Sequence, residues 1–149
     1  MTGTIPTPAA LAADWIACGG GRMGSDRSSG LAQLLLTDFP HTEPQLVWDT
    51  ILLIVKAYPA ADLYCDIGTE AQTVCGALAA GPVEDLLSLH GQAFIDRFER
   101  EARADRRVAW VLGGVWRLDM CDEIWNRVRN AADDSYWNRT AARNMIGPD

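Results

Sequence analysis

Proton transfer near neutral pH is work for histidine, and the chain has two, His41 and His90. Glu84 and Asp85 precede His90 and Asp96 follows it. A general base oriented by Glu84 or Asp96 is therefore the one acid–base arrangement the spacing allows. The same histidine falls one residue before Gly91, on the apolar stripe of its own helix, where an imidazole complements a helix C-terminus and hydrogen bonds a neighbour. That structural role fits the pattern better, and no residue is assigned to catalysis. Asp62 and Asp66 stand at i, i+4 and could face one cation together, but no third ligand follows them, so no metal is assigned. Cys18, Cys65, Cys75 and Cys121 form no C-x-x-C pair and read as core or surface thiols. The run GGGRMGSDRSSG from Gly19 to Gly30 has the glycines of a phosphate loop but neither the G-K-[ST] ending nor a preceding strand. It reads as a mobile connection, and no cofactor is expected.

The elements that must position these residues are helices. Val83, Leu86, Leu87 and His90 repeat at i, i+3, i+4 and i+7, with Pro82 at a helix start and Gly91 at a left-handed stop. Phe94, Ile95, Phe98 and Ala102 make the next stripe, with Asp96–Arg100 and Glu99–Arg103 as i, i+4 pairs on its outer side. Val108, Val111, Leu112, Val115 and Trp116 make a third, in which Gly113 and Gly114 let a neighbour come close. Asp119 is the expected cap of a fourth, with Asp122 and Glu123 in its first turn and Ile124, Trp125 and Val128 inward.

Upstream, Thr7–Pro8 starts a helix carrying Leu11, Trp15 and Cys18, and Leu31, Leu34 and Leu35 mark a short second one. Thr42 with Gln45, and Thr69 with Gln72, both have capping-box spacing. The first introduces QLVWDTILLIVKAY, whose polar residues crowd on one narrow face, so it is expected at the centre. Trp137 anchors a last helix if the tail docks. Period-two alternation never runs long enough for a strand. The expected fold is all-α: roughly seven to nine short antiparallel helices in a compact bundle or a short HEAT- or TPR-like solenoid. It is read as one domain over residues 1–149, with residues 19–30 as the mobile loop and 133–149 as a C-terminal helix or tail.

The segments GPVEDLLSLHG, FIDRFEREAR, LGGVW and MCDEIWNRV resemble a small all-helical bacterial family of unknown function. The resemblance implies a helical fold and a bacterial source. It implies no catalytic residue.

Charge says more than motif. The net charge is −7. Residues 1–90 carry ten acids against Arg22, Arg27 and Lys56, whereas residues 91–149 carry equal numbers of both signs. Asp38, Glu43, Asp49, Asp62, Asp66, Glu70, Glu84 and Asp85 thus form a candidate partner-binding set that repels nucleic acid and attracts a basic surface. Trp110 lies off the Val108–Leu112–Val115 line: packing against a second layer is the reading that fits better, and it joins the set on the alternative, as an exposed contact anchor. The N-terminus lacks a basic n-region, and the longest apolar run, Ile51 to Val55, is far too short to span a bilayer, so a cytoplasmic chain is expected. These features favour a non-catalytic protein that binds another. The most concrete form is a bacterial immunity protein occluding a cognate antibacterial toxin with a basic surface. A regulatory or assembly adaptor is the alternative, and an enzyme centred on His90 a weaker one.

Overall fold

The computed structural model describes residues 4–20, 30–66 and 68–138. Among these residues the chain forms nine α-helices, one π-helical segment and no strand. Helix α1 (Pro8–Ala17) starts as expected: the Thr7 hydroxyl accepts the Ala10 N–H, and Pro8 occupies the first turn. Its buried face carries Leu11 and Trp15, both fully inaccessible, each contributing about 1.5–3 kcal/mol or more through burial. The indole of Trp15 donates to the Val74 carbonyl at 3.2 Å, and a carboxylate oxygen of Asp14 accepts the Ala32 N–H at 2.8 Å. The chain leaves α1 through Gly19 and Gly20 at φ 70° and 101°. A Cβ on Gly20 would sit 2.7 Å from that of Ala77, so glycine is needed there twice over. The expected mobile loop lies mostly outside the described residues.

Two short turns, α2 (Leu31–Leu34) and α3 (Phe39–Thr42), lead to α4 (Pro44–Lys56). Helix α4 packs against α1 and α3 and against three helices further along the chain, which is the central place its composition required. Packing between elements distant in sequence marks a bundle, since solenoid units touch only their neighbours. The Thr42/Gln45 capping box does not form. Pro44 takes the first helical position and makes Glu43 the N-cap, while Thr42 ends the preceding turn and donates to the Asp38 carbonyl at 3.2 Å. The Thr69/Gln72 box does form, at 3.1 and 3.2 Å.

After α5 (Ala60–Tyr64), the chain from Glu70 to Ala104 is one interrupted rod. Helix α6 (Glu70–Leu78) runs through a π-helical segment (Ala79–Val83) into α7 (Glu84–Ala104). The expected fresh start at Pro82 is replaced by this widened turn, which accommodates a proline that lacks an N–H and crowds the preceding turn. Gly91 is not left-handed either. The break falls on His90, at φ −133° and ψ 33°, and the helix resumes. Gly91 serves close packing instead: a Cβ there would meet Ile124 at 3.1 Å. Helix α8 (Arg106–Gly113) is capped by Asp105, which accepts the Arg107 N–H at 3.0 Å. Helix α9 (Asp122–Ala131) has Cys121 at its N-cap rather than the expected Asp119. No helix among the described residues is long and apolar enough to cross a membrane.

Candidate acidic interaction surface

Helix α4, about 20 Å long at 1.5 Å per residue, separates two groups of the acids singled out by charge. At its N-terminal end α3 packs on α7, which brings Asp38, Glu43 and Asp85 onto neighbouring elements. His41 and Asp85 are close enough for the imidazole to offset part of the cost of burying the carboxyl, whose pKa burial raises. At its C-terminal end stand Asp62, Asp66 and Glu70. Asp49 lies between the groups, exposed on α4, and accepts a hydrogen bond from Gln45 at 3.0 Å.

The C-terminal group is held by its backbone. Gln72 is buried, and its amide donates to the carbonyls of Leu63 and Cys65 at 3.0 and 2.8 Å. The Thr69 hydroxyl donates to the Asp62 carbonyl at 2.7 Å while accepting the Gln72 N–H. The capping box thus bolts the 62–66 connection to the start of α6. Glu70 is exposed and accepts the Tyr58 hydroxyl at 2.8 Å; burial and this carboxylate together push the phenol pKa well up.

Among the described residues the ion pairs form elsewhere, and Arg97 reaches this face only through Gln45, donating to its amide oxygen at 2.6 Å. Arg107 pairs with Asp105 at 2.8 Å, Arg117 with Asp122, Arg127 with Asp96 and Glu99, and Arg129 with Asp134. Lys56, the single lysine, reaches Glu101 at 3.7 Å. Every acid in these pairs lies beyond residue 91. Asp38, Glu43, Asp49, Asp62, Glu70 and Asp85 stand in none of them. The close contacts of Asp96 and Glu99 go to Arg127, which clamps α9 to α7; its hydrogen bond, with a smaller contribution from the expected partner Arg103, holds the Glu99 carboxyl below its ordinary pKa.

Two members of the expected contact set are misplaced as surface residues. Glu84 is only 6% exposed, and its carboxylate accepts the Trp116 N–H at 2.7 Å, because the start of α7 faces the end of α8 rather than solvent. Trp110 is fully buried against Tyr136 and Trp137, with ring centroids 5.2 and 4.6 Å away. It packs against a second layer and is not a contact anchor. Trp116, expected in the core, is 73% exposed. Helix α8 ends at Gly113, so the periodicity that carried Trp116 inward stops three residues short of it.

Beyond Gly113 the chain makes a tight turn. The Met120 N–H donates to the Arg117 carbonyl at 3.0 Å, and the Arg117 side chain donates to the Met120 carbonyl at 3.1 Å. Leu118 at the tip is 57% exposed and has φ 45°, the one non-glycine residue at positive φ among those described. A cavity of about 490 Å³ on one side of the turn is lined by Gly114, Trp116, Arg117, Trp125 and Trp137, and one of about 370 Å³ on the other by Leu89, His90, Asp119, Met120 and Cys121. The glycine pair ahead of Trp116 is the sequence signal for this exposure, because Gly113 and Gly114 end the helix.

His90 donates through Nε2 to the Pro40 carbonyl at 2.8 Å and so ties α3 to α7. Its candidate orienting acids are engaged elsewhere, Glu84 by the Trp116 N–H and Asp96 by Arg127. No group of three or more His, Cys, Asp or Glu side chains able to hold a metal ion occurs among the described residues.

Among the described residues, fold and site together define a helical bundle whose ion pairs leave Asp38, Glu43, Asp49, Asp62, Glu70 and Asp85 outside them. Residues 32–136 match the model of a family of unknown function, DUF6869, and the chain belongs to that family. No curated protein and no solved structure matches it.

Proposed function

We propose that the chain is a non-catalytic binding protein, most concretely a bacterial immunity protein that acts in the cytoplasm by occluding a cognate toxin with a basic surface. The segregation of ion pairs supports this reading best. Arginines of the second part neutralise acids of the second part, while Asp38, Glu43, Asp49, Asp62, Glu70 and Asp85 stand outside those pairs on helices α3 to α7. Such a field speeds encounter with a basic cleft, and a rigid helical surface can block that cleft without chemistry. The test is co-expression with the protein encoded beside its gene, scored by growth rescue and by isothermal titration of the purified pair. Rescue with a nanomolar complex is expected. A toxic neighbour whose effect the chain leaves unchanged would overturn the reading.

A further inference from the structure

We propose that the Trp116–Leu118 turn is a preformed anchor for a protein segment that carries an apolar residue flanked by arginine or lysine. This deepens the protein-binding reading and is independent of the toxin assignment.

The turn exposes apolar surface at a cost the fold gains nothing from. Trp116 is 73% exposed, Leu118 57% and Leu89, across the smaller cavity, 44%. Leu118 also holds φ 45°, a conformation that suits glycine or asparagine and penalises a bulky side chain. A leucine that is both strained and solvated stabilises neither turn nor core. Strain of this kind gathers where a surface has to present a particular side chain.

The presentation is rigid. Glu84, buried at the start of α7, accepts the Trp116 N–H at 2.7 Å, and the Arg117–Met120 hydrogen bonds close the turn on itself. Little ordering remains to be done on binding, which favours affinity. Exposed tryptophan beside aliphatic side chains is also the composition of an interface hot spot.

Charge decides what would dock. Asp119, Asp122 and Glu123 are exposed just beyond the turn. Arg117 offsets only Asp122, and Arg129, stacked 5.6 Å from the centroid of Trp125, is already paired with Asp134. The rim is therefore net negative around an aromatic face, and a guanidinium or ammonium group gains from both.

Selection of a random-peptide display library against the full chain, with the W116A chain as the counter-target, tests this. Expected are peptides rich in arginine or lysine around an aliphatic or aromatic residue, bound about tenfold or more weakly by W116A. L118G is expected to weaken the same peptides while its melting temperature stays level or rises, a split that a merely structural turn would not give. Selected peptides that are acidic, or that bind W116A equally well, would overturn the proposal. So would sedimentation showing a dimer that W116A dissolves, since a second copy would then be the occupant. Failure of toxin neutralisation leaves this result untouched.

Discussion

The indole N–H of Trp137 donates to the carbonyl of Trp110 at 2.7 Å, joining the last described turn of the chain to helix α8. The ring can reach that carbonyl because Gly113 and Gly114 lie beneath it. The Asp133 N–H bonds the Ala109 carbonyl at 2.9 Å alongside. The C-terminal turn thereby roofs Trp110 and completes its burial.

Gly113→Ala should break this joint. The added Cβ would fall 2.5 Å from the Asp133 carbonyl oxygen and 2.6 Å from the Trp137 ring, and a backbone oxygen cannot simply rotate aside. Overpacking of this kind costs about 1–3 kcal/mol. Gly68→Ala is the control, since its Cβ would meet nothing within 4 Å, and a change within about 0.5 kcal/mol is expected. Thermal melts of both variants check the contrast, and equal melting temperatures would contradict it.

Trp110 and Trp116 show what was legible in the sequence and what was not. Helix α4 and the stripes of α1 and α7 follow from periodicity, and the Thr69/Gln72 box from its spacing, because each is decided within one or two turns. The fates of the two tryptophans depend on where α8 stops and on what covers its far face, and the cover comes from Trp137, 27 residues away. Pro82 and Gly91 carry local signals for helix ends, yet packing keeps the rod going, through a π turn at one and a kink beside the other. The acidic set was legible as composition. That Glu84 turns inward was not, since its partner is a backbone N–H on another helix.

Buried Glu84 and half-buried Asp85 should give the protein an unusual acid response. Burial raises the pKa of Glu84 above its ordinary 4.5 and that of Asp85 above 3.8; the Trp116 N–H pulls the first back in part, and His41 the second. Between the ordinary and raised values the native state binds more protons than the unfolded chain, so this contribution to stability is full below that window and is lost as pH rises through it. Glu99 and Asp105 work oppositely. Their arginine partners lower their pKa, so their stabilisation is present above the ordinary values and lost as pH falls through the lowered ones. Relative to E84Q/D85N, the parent should therefore gain stability as pH falls from 7 towards 4.5. Urea titrations across that range measure the difference, and parallel curves would count against it.

The four thiols should separate by reactivity. Cys121 is exposed, whereas Cys75 is fully buried on α6 and its thiol is pushed up to about 12 by desolvation. The thiolate is the reacting species, so Cys75 is protected both by access and by protonation. A maleimide at neutral pH should modify Cys121 rapidly and leave Cys75 unlabelled until denaturant is added. Mass spectrometry of the native, labelled chain reads this directly, and early labelling of Cys75 would contradict the packing of α6.

Asp49, Asp62 and Glu70 offer the cleanest probe of the electrostatic reading, because removing their charge disturbs little else. Asp49 is exposed and accepts only a bond from Gln45 within its own helix, and Glu70 accepts one phenol that a glutamine oxygen can accept as well. D49N/D62N/E70Q should consequently melt close to the parent. Long-range steering acts on encounter more than on residence, so the triple variant should associate with a basic partner about tenfold more slowly, with a shallower dependence on salt and a smaller change in dissociation rate. Stopped-flow association with the neighbour-encoded protein at two ionic strengths measures both rates. An unchanged association rate at low salt would mean that these acids serve solubility alone, and the contact would have to be sought elsewhere on the bundle.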